Sequence, residues 1–363
     1  MKYRDEYRNR DVAQGLVTRI HEICKRPVRI MEVCGTHTMS IFRNGIRELL
    51  PAHVDLLSGP GCPVCVTTQG EMDAFIGLAR EKDIILTTFG DLMRVPGSET
   101  SLEKEKAMGS DIRVVYSSFD ALEIAANHPE KKVVFLGVGF ETTAPTIAAS
   151  MVLARQRRIS NFSVFCVHKL VPPVLDALLE DGQVRVDGFL LPGHVSVIIG
   201  RQAYLPIFER YGVPGAIAGF EPVDILQGIW RLIRQMESGQ TGIENCYPRV
   251  VKEEGNPKAR DLMNTVFETT DACWRGLGTI PQSGLKISDP FAAYDAQRIF
   301  QVSIRDVPEP EGCACGQILS GIKTPDQCPL FERVCTPLAP VGPCMVSSEG
   351  TCAAYYRYRS RVA

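Results

Sequence analysis

Several features of common protein classes are missing from this 363-residue sequence. It has no run of 18 or more apolar residues, so we expect no transmembrane helix. Its first residues, MKYRDEYRNRD, lack the apolar core of a signal peptide, so we expect a cytoplasmic protein. The net charge of -2 shows no basic surplus of the kind that nucleic-acid-binding domains carry. Walker A and GxGxxG motifs are also absent, which disfavours nucleotide binding.

Cysteine is abundant instead. The chain has 13 cysteines, an odd number that excludes complete pairing within one chain. In a cytosolic protein of this size, such a number indicates metal binding or redox chemistry rather than structural disulfides. Three lie in glycine-flanked motifs near the N-terminus, namely Cys34, Cys62 and Cys65. Six more lie in the last 51 residues: Cys313, Cys315, Cys328, Cys335, Cys344 and Cys352. Cys24, Cys166, Cys246 and Cys273 have no nearby partners in the sequence and are interpreted as packing residues.

Short runs of Val, Ile and Leu alternate with helical patterns over the first two thirds of the chain. Such runs are typical of parallel strands covered on both faces, and their alternation with helices predicts an α/β architecture. The predicted strands are Val28–Val33, Val54–Leu57, Ile84–Thr88, Ile112–Val115, Val133–Val138, Phe162–Val167 and Asp187–Leu191. Predicted helices include Gln69–Arg80, Phe119–Asn127, Thr146–Arg157, Pro173–Glu180, Ser196–Tyr211, Pro222–Glu237 and Pro257–Phe267.

We therefore expect two parallel-sheet α/β domains around a cleft, plus a smaller loop-rich iron–sulfur domain. Residues 1–25 form a charged helix that packs on the C-terminal domain. Residues 26–118 form the first α/β domain and residues 119–221 the second. Residues 222–363 form a helical and cysteine-rich domain, in which Gly, Pro and Cys dominate from residue 276 onward.

Polar residues follow six of the predicted strands at their carboxyl ends. Examples are the segments CGTHT at 34–38, GFETTAP at 139–145 and PGH at 192–194. Ligands bind beyond the carboxyl ends of strands in open parallel sheets, so these segments predict one shared cleft. The alternative is that Gly, Thr and Asp at these places are turn and cap residues.

The CPVC motif at residues 62–65 lies between a strand and a helix. A helix N-terminus favours thiolate, so Cys62 and Cys65 could form a reversible disulfide or bind a soft metal. A structural zinc needs four ligands, and Cys34 and His37 are the only nearby candidates, so that alternative stays open. A thiolate at Cys34 could bind low-valent iron, with His37 as ligand or proton acceptor.

Proline or glycine flanks most of the six C-terminal cysteines. Iron–sulfur clusters need four thiolates that converge from loops, and Gly and Pro shape such loops. The spacing is C-x-C followed by gaps of 12, 6, 8 and 7 residues, which lacks the paired C-x2-C knuckles that zinc sites favour. The sequence therefore favours an iron–sulfur cluster over zinc, with two cysteines left to form a disulfide near it.

Four long motifs together resemble the HypD family of [NiFe]-hydrogenase maturation proteins. They are CGTHT at 34–38, GPGCPVC at 59–65, GFETTAP at 139–145 and GPCMVSSEGTC at 342–352. The resemblance runs over essentially the whole chain. It implies two α/β domains around a cleft and a third domain with a [4Fe–4S] cluster. It also implies two partners, a small HypC-type chaperone and a HypE-type cyanide donor, which assemble an Fe(CN)2CO group with a chain that is a monomer beforehand.

The same resemblance implies roles for single residues. Cys34 would help to hold the transient iron, with His37 beside it, and Cys62 and Cys65 would be a redox-active pair. Glu141, Thr142 and Thr143 would hydrogen-bond cyanide nitrogens or position a proton donor. The cluster would be held by Cys313, Cys328, Cys335 and Cys352, and a disulfide would join Cys315 to Cys344. The chain is then expected to be an assembly scaffold with thiol and iron–sulfur redox activity rather than an ordinary metabolic enzyme.

Two other functions fit part of the sequence. A stand-alone thiol–disulfide oxidoreductase fed by the cluster would use the CPVC motif and the C-terminal cysteines, but it leaves CGTHT and GFETTAP unexplained. A zinc-stabilised binding protein without redox chemistry would be colourless after anaerobic purification.

Overall fold

The strands of the protein are short and rich in Val, Ile and Leu. The computed structural model describes residues 5–183 and 185–359. Within that part the strands are β1 Val28–Glu32, β2 Val54–Ser58, β3 Ile84–Thr88, β4 Ile112–Val114, β5 Lys132–Gly137, β6 Phe162–Cys166, β7 Gly188–Pro192, β8 Pro214–Ala218, β9 Gly242–Asn245, β10 Phe267–Trp274 and β11 Gly278–Ile287. All seven predicted strands are confirmed to within a residue at each end.

Helices follow most of these strands. They are α1 Arg10–Ile23, α2 Gly35–Arg43, α3 Ile46–Leu49, α4 Pro63–Val66, α5 Gln69–Ala79, α6 Leu102–Ala107, α7 Ser118–Asn127, α8 Ala144–Gln156, α9 Val171–Asp181, α10 Gly193–Ile199, α11 Leu205–Tyr211, α12 Pro222–Ser238, α13 Pro257–Val266, α14 Ala296–Ile299, α15 Cys315–Leu319, α16 Pro343–Val346 and α17 Thr351–Tyr358. Short 3₁₀ helices lie at Asp5–Arg8, Gly90–Leu92, Gln202–Tyr204, Asp289–Tyr294 and Pro325–Gln327.

Two parallel sheets form the centre of the molecule and confirm the α/β class. The first sheet has the order β2-β1-β7-β8-β9 and the second the order β4-β3-β5-β6. Every ladder in both sheets is parallel. Strands β3, β6, β7 and β8 are buried along their whole length, as expected for strands covered by helices on both faces.

The strands do not group as the predicted boundaries at residues 118 and 221 would place them. The first sheet takes β1 and β2 from before the second sheet and β7, β8 and β9 from after it. The chain therefore leaves the first domain after residue 58, builds the whole second sheet, and returns at residue 188. All these strands have the same apolar pattern, and pairing between distant segments leaves no local mark in the sequence.

Helix α1 packs along α12, which in turn covers β7 and β8 of the first sheet. The N-terminal helix thus packs on α12, which lies within the 222–363 segment that was expected to receive it, although α12 itself covers the first sheet. Two glycines allow the close packing of α12. A Cβ at Gly188 would lie 2.4 Å from Cε of Met236, and one at Gly228 would lie 2.7 Å from Cδ1 of Leu190.

One predicted helix is wrong as a single element. The segment predicted as Ser196–Tyr211 forms two helices, α10 and α11, that are separated at Gly200. Gly200 has φ +81, which ends α10, and the backbone of Glu253 and Gly255 lies against it.

An antiparallel hairpin and a coil-rich segment complete the chain. Strands β10 and β11, neither of which was predicted, pair with a bulge between Thr270 and Ala272. Beyond the hairpin, α15, α16 and α17 carry cysteines at or near their first turns. Helix α17 packs on α2, where the ring of Tyr355 lies 4.6 Å from that of Phe42. In the described part of the chain, no helix has the length and apolarity that a membrane span requires.

A buried ion pair fixes α12 in the first domain. Asp224 is fully buried and accepts hydrogen bonds of 2.7 and 2.6 Å from both terminal nitrogens of Arg249. The guanidinium also lies over the rings of Tyr7 and Tyr247. Removing the carboxylate would leave a poorly solvated positive charge among these groups.

We expect Asp224→Ala to lower the unfolding free energy by about 3–5 kcal/mol, as found when one partner of a buried pair is lost. Glu244→Ala is the control, because Glu244 pairs with Arg231 and Arg234 at a more exposed place and such pairs contribute less than about 1 kcal/mol. Urea unfolding followed by circular dichroism measures both. Equal losses for the two variants would contradict the special role of Asp224.

Candidate functional site

A cavity of about 400 Å³ lies where strand ends of both sheets meet the cysteine-rich C-terminal segment, residues 313–359. Cys34 follows β1 of the first sheet, and Thr142 and Thr143 follow β5 of the second sheet; all three line this cavity. His194, after β7, and Glu349, between α16 and α17, line it as well. The structure therefore brings predicted residues from two sheets into one cleft.

Cys34 lies at the first turn of α2, as the N-cap residue, and is 8% exposed. Burial raises the pKa of its thiol to about 12, and the nearby Glu349 carboxylate adds to this effect. The backbone N–H groups of His37 and Thr36 act in the opposite direction. Without a bound cation, Cys34 is therefore a neutral thiol, and a metal ion that binds it has to displace the proton.

The CPVC segment lies directly against Cys34. A Cβ at Gly61 would lie 2.2 Å from the backbone nitrogen of Cys34, and the amide of Gly35 donates to the carbonyl of Gly61 at 2.9 Å. Only glycine permits this approach. Cys62 caps the short helix α4, and its Sγ accepts from the amide of Cys65 at 3.3 Å.

Sulfur contacts continue from the CPVC motif into the C-terminal segment. The thiol of Cys65 is fully buried and contacts the sulfurs of Cys344 and Cys62. Cys344 also contacts the sulfurs of Cys315 and Cys352. Hydrogen bonds from Cys315, Cys352 and Cys65 lower the pKa of Cys344, whereas burial and the neighbouring sulfurs raise that of Cys65. Cys344 is thus the sulfur through which the two groups of cysteines meet.

A second, small cavity is ringed by cysteines. Its wall includes all four of the predicted cluster ligands together with the other member of the C-x-C pair, that is, Cys313, Cys315, Cys328, Cys335 and Cys352. Cys344 does not belong to this wall. Gly342 does, and a Cβ there would lie 2.6 Å from Sγ of Cys315 and 2.9 Å from Sγ of Cys313.

This donor set suits an iron–sulfur cluster, because five thiols face one space, three of them from loops and two from the first turns of α15 and α17, and a glycine keeps that space open. All the cysteines are free thiols. As the side chains stand in residues 5–183 and 185–359, no group of three or more His, Cys, Asp or Glu is arranged to hold a single metal ion.

His37 lies behind the cleft and does not line it. Its Nε2 donates to the carbonyl of Gly219 at 2.9 Å, and its Nδ1 has no hydrogen-bond partner. Burial lowers the pKa of His37 to about 4, so the ring is neutral at pH 7. Phe220 stacks between the rings of His37 and His194, at centroid distances of 4.7 and 3.9 Å.

Glu141 is also buried behind the cavity wall. Its Oε1 accepts from the amide of Val171 at 2.9 Å, and its Oε2 has no partner. Burial raises the pKa of this carboxyl to about 7. Glu32, beneath Cys34, is similar: burial raises its pKa to about 7, although Thr38 donates to it at 2.5 Å.

Glu349 and His194 were absent from the predicted site. Glu349 accepts a hydrogen bond of 2.6 Å from Oγ1 of Thr36, and a Cβ at Gly35 would lie 2.4 Å from the Cβ of Glu349. Nothing local in the sequence links residues more than 300 positions apart. His194 could have been predicted, because the PGH segment at 192–194 was assigned to the carboxyl end of a strand that faces the shared cleft.

These features define a class of protein: two parallel α/β domains whose cleft thiols are joined to a C-terminal cysteine cluster. A family model named HypD, described as the hydrogenase formation hypA family, matches residues 11–359. The chain belongs to this family.

Named relatives agree with the match. The chain is 47% identical to hydrogenase maturation factor HypD2 of Bradyrhizobium diazoefficiens, over 99% of this chain and 97% of the relative. It is 46% identical to hydrogenase maturation factor HypD of Cupriavidus necator, with the same coverage. The corresponding factor of Escherichia coli is 43% identical over 99% of both chains.

The raised pKa of Glu141 gives a stability prediction. Its contribution is fully present below the pKa of an unfolded glutamate and is lost as the pH rises through about 7. Glu141→Gln cannot ionise. We therefore expect the variant to match the wild type near pH 4.5 and to exceed its unfolding free energy by up to about 3 kcal/mol at pH 8.

Urea unfolding between pH 4.5 and 8 measures this difference. Glu81→Gln, at an exposed carboxylate, is the control and should follow the wild type throughout. A Glu141→Gln variant that is less stable than the wild type at pH 8 would show that the buried carboxylate has a partner there.

Proposed function

We propose that this protein is the scaffold and redox component on which the Fe(CN)2CO group of [NiFe]-hydrogenases is assembled. The observation that carries the proposal is the continuity of the site. Cys34 opens into the 400 Å³ cavity, Gly61 holds the CPVC turn against it, and Cys65 contacts Cys344 of the C-terminal segment. Metal-binding and redox-active thiols thus lie within one connected region.

The iron under assembly is the cargo of the cleft, and Cys34 is its ligand from this chain. Thiolate is a soft donor that suits low-spin iron with strong-field ligands such as cyanide and CO. Cys34 alone leaves most coordination positions of the iron open, so a HypC-type chaperone that carries the iron supplies further ligands. The apolar side chains of Val195, Val197 and Ile198 on the cavity wall would exclude water from the space around the bound iron.

Polar groups of the cavity wall orient the diatomic ligands. The hydroxyls of Thr142 and Thr143 line the cavity and can donate to cyanide nitrogens, while His194 faces the same space. In this structure Thr143 donates its single hydroxyl hydrogen to the carbonyl of Phe140 at 3.2 Å, so donation to a cyanide nitrogen requires this hydroxyl to rotate. Glu141 lies behind them, where its protonated form can hold a proton close to the site.

The resident cofactor would be a [4Fe–4S] cluster held by Cys313, Cys328, Cys335 and Cys352. When bound, such a cluster supplies single electrons. Gly342 keeps the space between the thiols open, and the amide of Val341 donates to Sγ of Cys335 at 3.3 Å.

The other thiols exchange two electrons among themselves. A thiolate at Cys344 attacks the sulfur of Cys65 in a Cys62–Cys65 disulfide, and Cys62 leaves as a thiolate that takes up a proton. Cys315 then attacks Cys344 and releases Cys65, so that Cys315–Cys344 is oxidised and Cys62–Cys65 is reduced. The packing of α4, which carries Cys65, against α16, which carries Cys344, suits this exchange. The reduced pair then serves the delivery of cyanide by a HypE-type partner, in the cytoplasm, where thiols stay reduced.

A stand-alone thiol–disulfide oxidoreductase is the second candidate. The Cys65–Cys344 contact is complete within one chain and favours it. It gives no role to the cavity at Cys34, however. Reduction of a general disulfide substrate by the isolated chain would support it.

The iron-binding role of Cys34 is testable by infrared spectroscopy. We expect Cys34→Ala, purified without oxygen together with the co-expressed small chaperone, to lose the cyanide and CO stretching bands, because the chain has lost its ligand for the cargo. Cys246→Ala removes another buried thiol, outside both cavities, and should keep the bands. Bands of full intensity in Cys34→Ala would disprove this assignment.

The proposed cluster site predicts a strong effect at Gly342. A methyl group there would overlap the sulfurs of Cys315 and Cys313 in the wall of the cysteine-lined cavity. We therefore expect Gly342→Ala to lose at least half of its iron and acid-labile sulfide. Gly77→Ala adds the same methyl group where nothing lies within 4 Å and should retain both. Chemical analysis of anaerobically purified protein gives the contents. Full iron and sulfide in Gly342→Ala would place the cluster elsewhere.

A further inference from the structure

The tip of the β10–β11 hairpin lies between the CPVC turn and the cysteine ring. Arg275 occupies this tip and is only 2% exposed. Its amide donates to the carbonyl of Val66 at 3.0 Å, and its Nε donates to the carbonyl of Thr67 at 2.7 Å. Its terminal nitrogen donates to Oε1 of Gln69 at 3.3 Å. The hairpin is thus hydrogen-bonded to Val66, Thr67 and Gln69, which follow Cys65 in the chain.

The next residue of the tip contacts the other side. Gly276 has φ +72, and a Cβ there would lie 1.9 Å from Cα of Gly316. The approach is mutual, since a Cβ at Gly316 would lie 2.5 Å from Cα of Gly276. Gly316 directly follows Cys315 in helix α15, so the hairpin backbone touches the backbone beside a ring cysteine.

The hairpin is itself rigidly anchored. Trp274 is fully buried, and its Nε1 donates to Oγ of Ser283 at 2.8 Å. Its indole stacks on Phe140, which lines the cleft, with a centroid distance of 5.9 Å. Two consecutive residues beyond Trp274 therefore connect a fixed strand end to both groups of cysteines.

We propose that Arg275 and Gly276 are positioning residues that set the separation of Cys65 from Cys344 and Cys315 for thiol–disulfide exchange. Arg275 holds the turn that carries Cys65, and Gly276 determines how closely the helix of Cys315 approaches. Exchange requires one sulfur to attack another at contact distance, and small displacements of reacting groups reduce such rates strongly. This inference rests on the exchange proposed above.

Gly278 provides a matched control for Gly276. Its φ of +73 is nearly the same, so alanine has the same backbone strain at both positions. A Cβ at Gly278, however, meets nothing within 4 Å. A difference between the two variants therefore measures the contact with Gly316 rather than the strain of the turn.

The test uses the full, cluster-loaded chain with Cys62→Ser and Cys315→Ser, so that Cys65 and Cys344 remain of the two pairs. Diamide accepts the two electrons and two protons that are released as the Cys65–Cys344 bond forms. Alkylation at timed intervals and peptide mass spectrometry give the rate of bond formation. Visible absorption of the cluster and the thermal midpoint are recorded for every variant.

We expect Gly276→Ala to slow formation of the bond roughly 10- to 100-fold, and Gly278→Ala to stay within about twofold of the parent. Arg275→Lys keeps the charge but loses the planar fork, so a several-fold decrease is expected. If Gly276→Ala fails to fold, Arg275→Lys decides the matter.

Two outcomes would overturn the inference. One is a parental rate in both Gly276→Ala and Arg275→Lys. The other is an equal loss in Gly276→Ala and Gly278→Ala, which would assign the effect to backbone strain. In both cases the exchange itself would stand. A parent that forms no Cys65–Cys344 bond would instead refute the proposed exchange, and with it any spacing role for the hairpin.

Discussion

The close packing of the C-terminal segment against the cleft is the constraint on which the rest of the site depends. Glycines make it possible, because at Gly35 and Gly61 a side chain would overlap Glu349 or the backbone of Cys34. The contact joins residues at the two ends of the chain. Without this packing, Glu349 would no longer line the cavity, and the thiol of Cys344 would no longer lie beside that of Cys65.

Burial gives this region its electrostatic character. Cys34, His37 and Glu141 are all nearly inaccessible. Burial raises the pKa of Cys34 and Glu141 and lowers that of His37, and each shift favours the neutral form of the side chain. A neutral site is suited to accept a cationic iron, because binding of the metal releases the thiol proton and gives the thiolate a counter-charge. Desolvation would also strengthen a hydrogen bond that Thr142 donates to a polar ligand of the proposed iron.

Much of the fold was predictable from the sequence. Runs such as Ile84–Thr88 have no charged residue and no alternation of apolar and polar positions, as strands buried on both faces require. Sheet membership was not predictable, because the strands β1 and β7 pair across more than 150 residues and share the pattern of all the others. The hairpin was missed because only the two end residues of β10 are buried and its apolar alternation is weak.

The residues of the cleft also divide into those that local sequence could predict and those that it could not. The residues Cys34, Thr142 and Thr143 could be found because they follow strands that end at one side of parallel sheets. Glu349 and Arg275 could not, because each reaches its partner only through the packing of the complete chain. His37 and Glu141 were expected at the cleft itself and lie just behind its wall, since side chains at the start of a helix point in several directions.

In the proposed function, one connected site both binds the iron cargo and transfers electrons. Mössbauer spectroscopy of ⁵⁷Fe-labelled protein, purified without oxygen together with its small chaperone, measures both properties at once. We expect two kinds of iron in one complex: the signal of a [4Fe–4S] cluster and that of a single low-spin iron. A cluster without low-spin iron, or a colourless protein loaded with zinc, would contradict the proposed function.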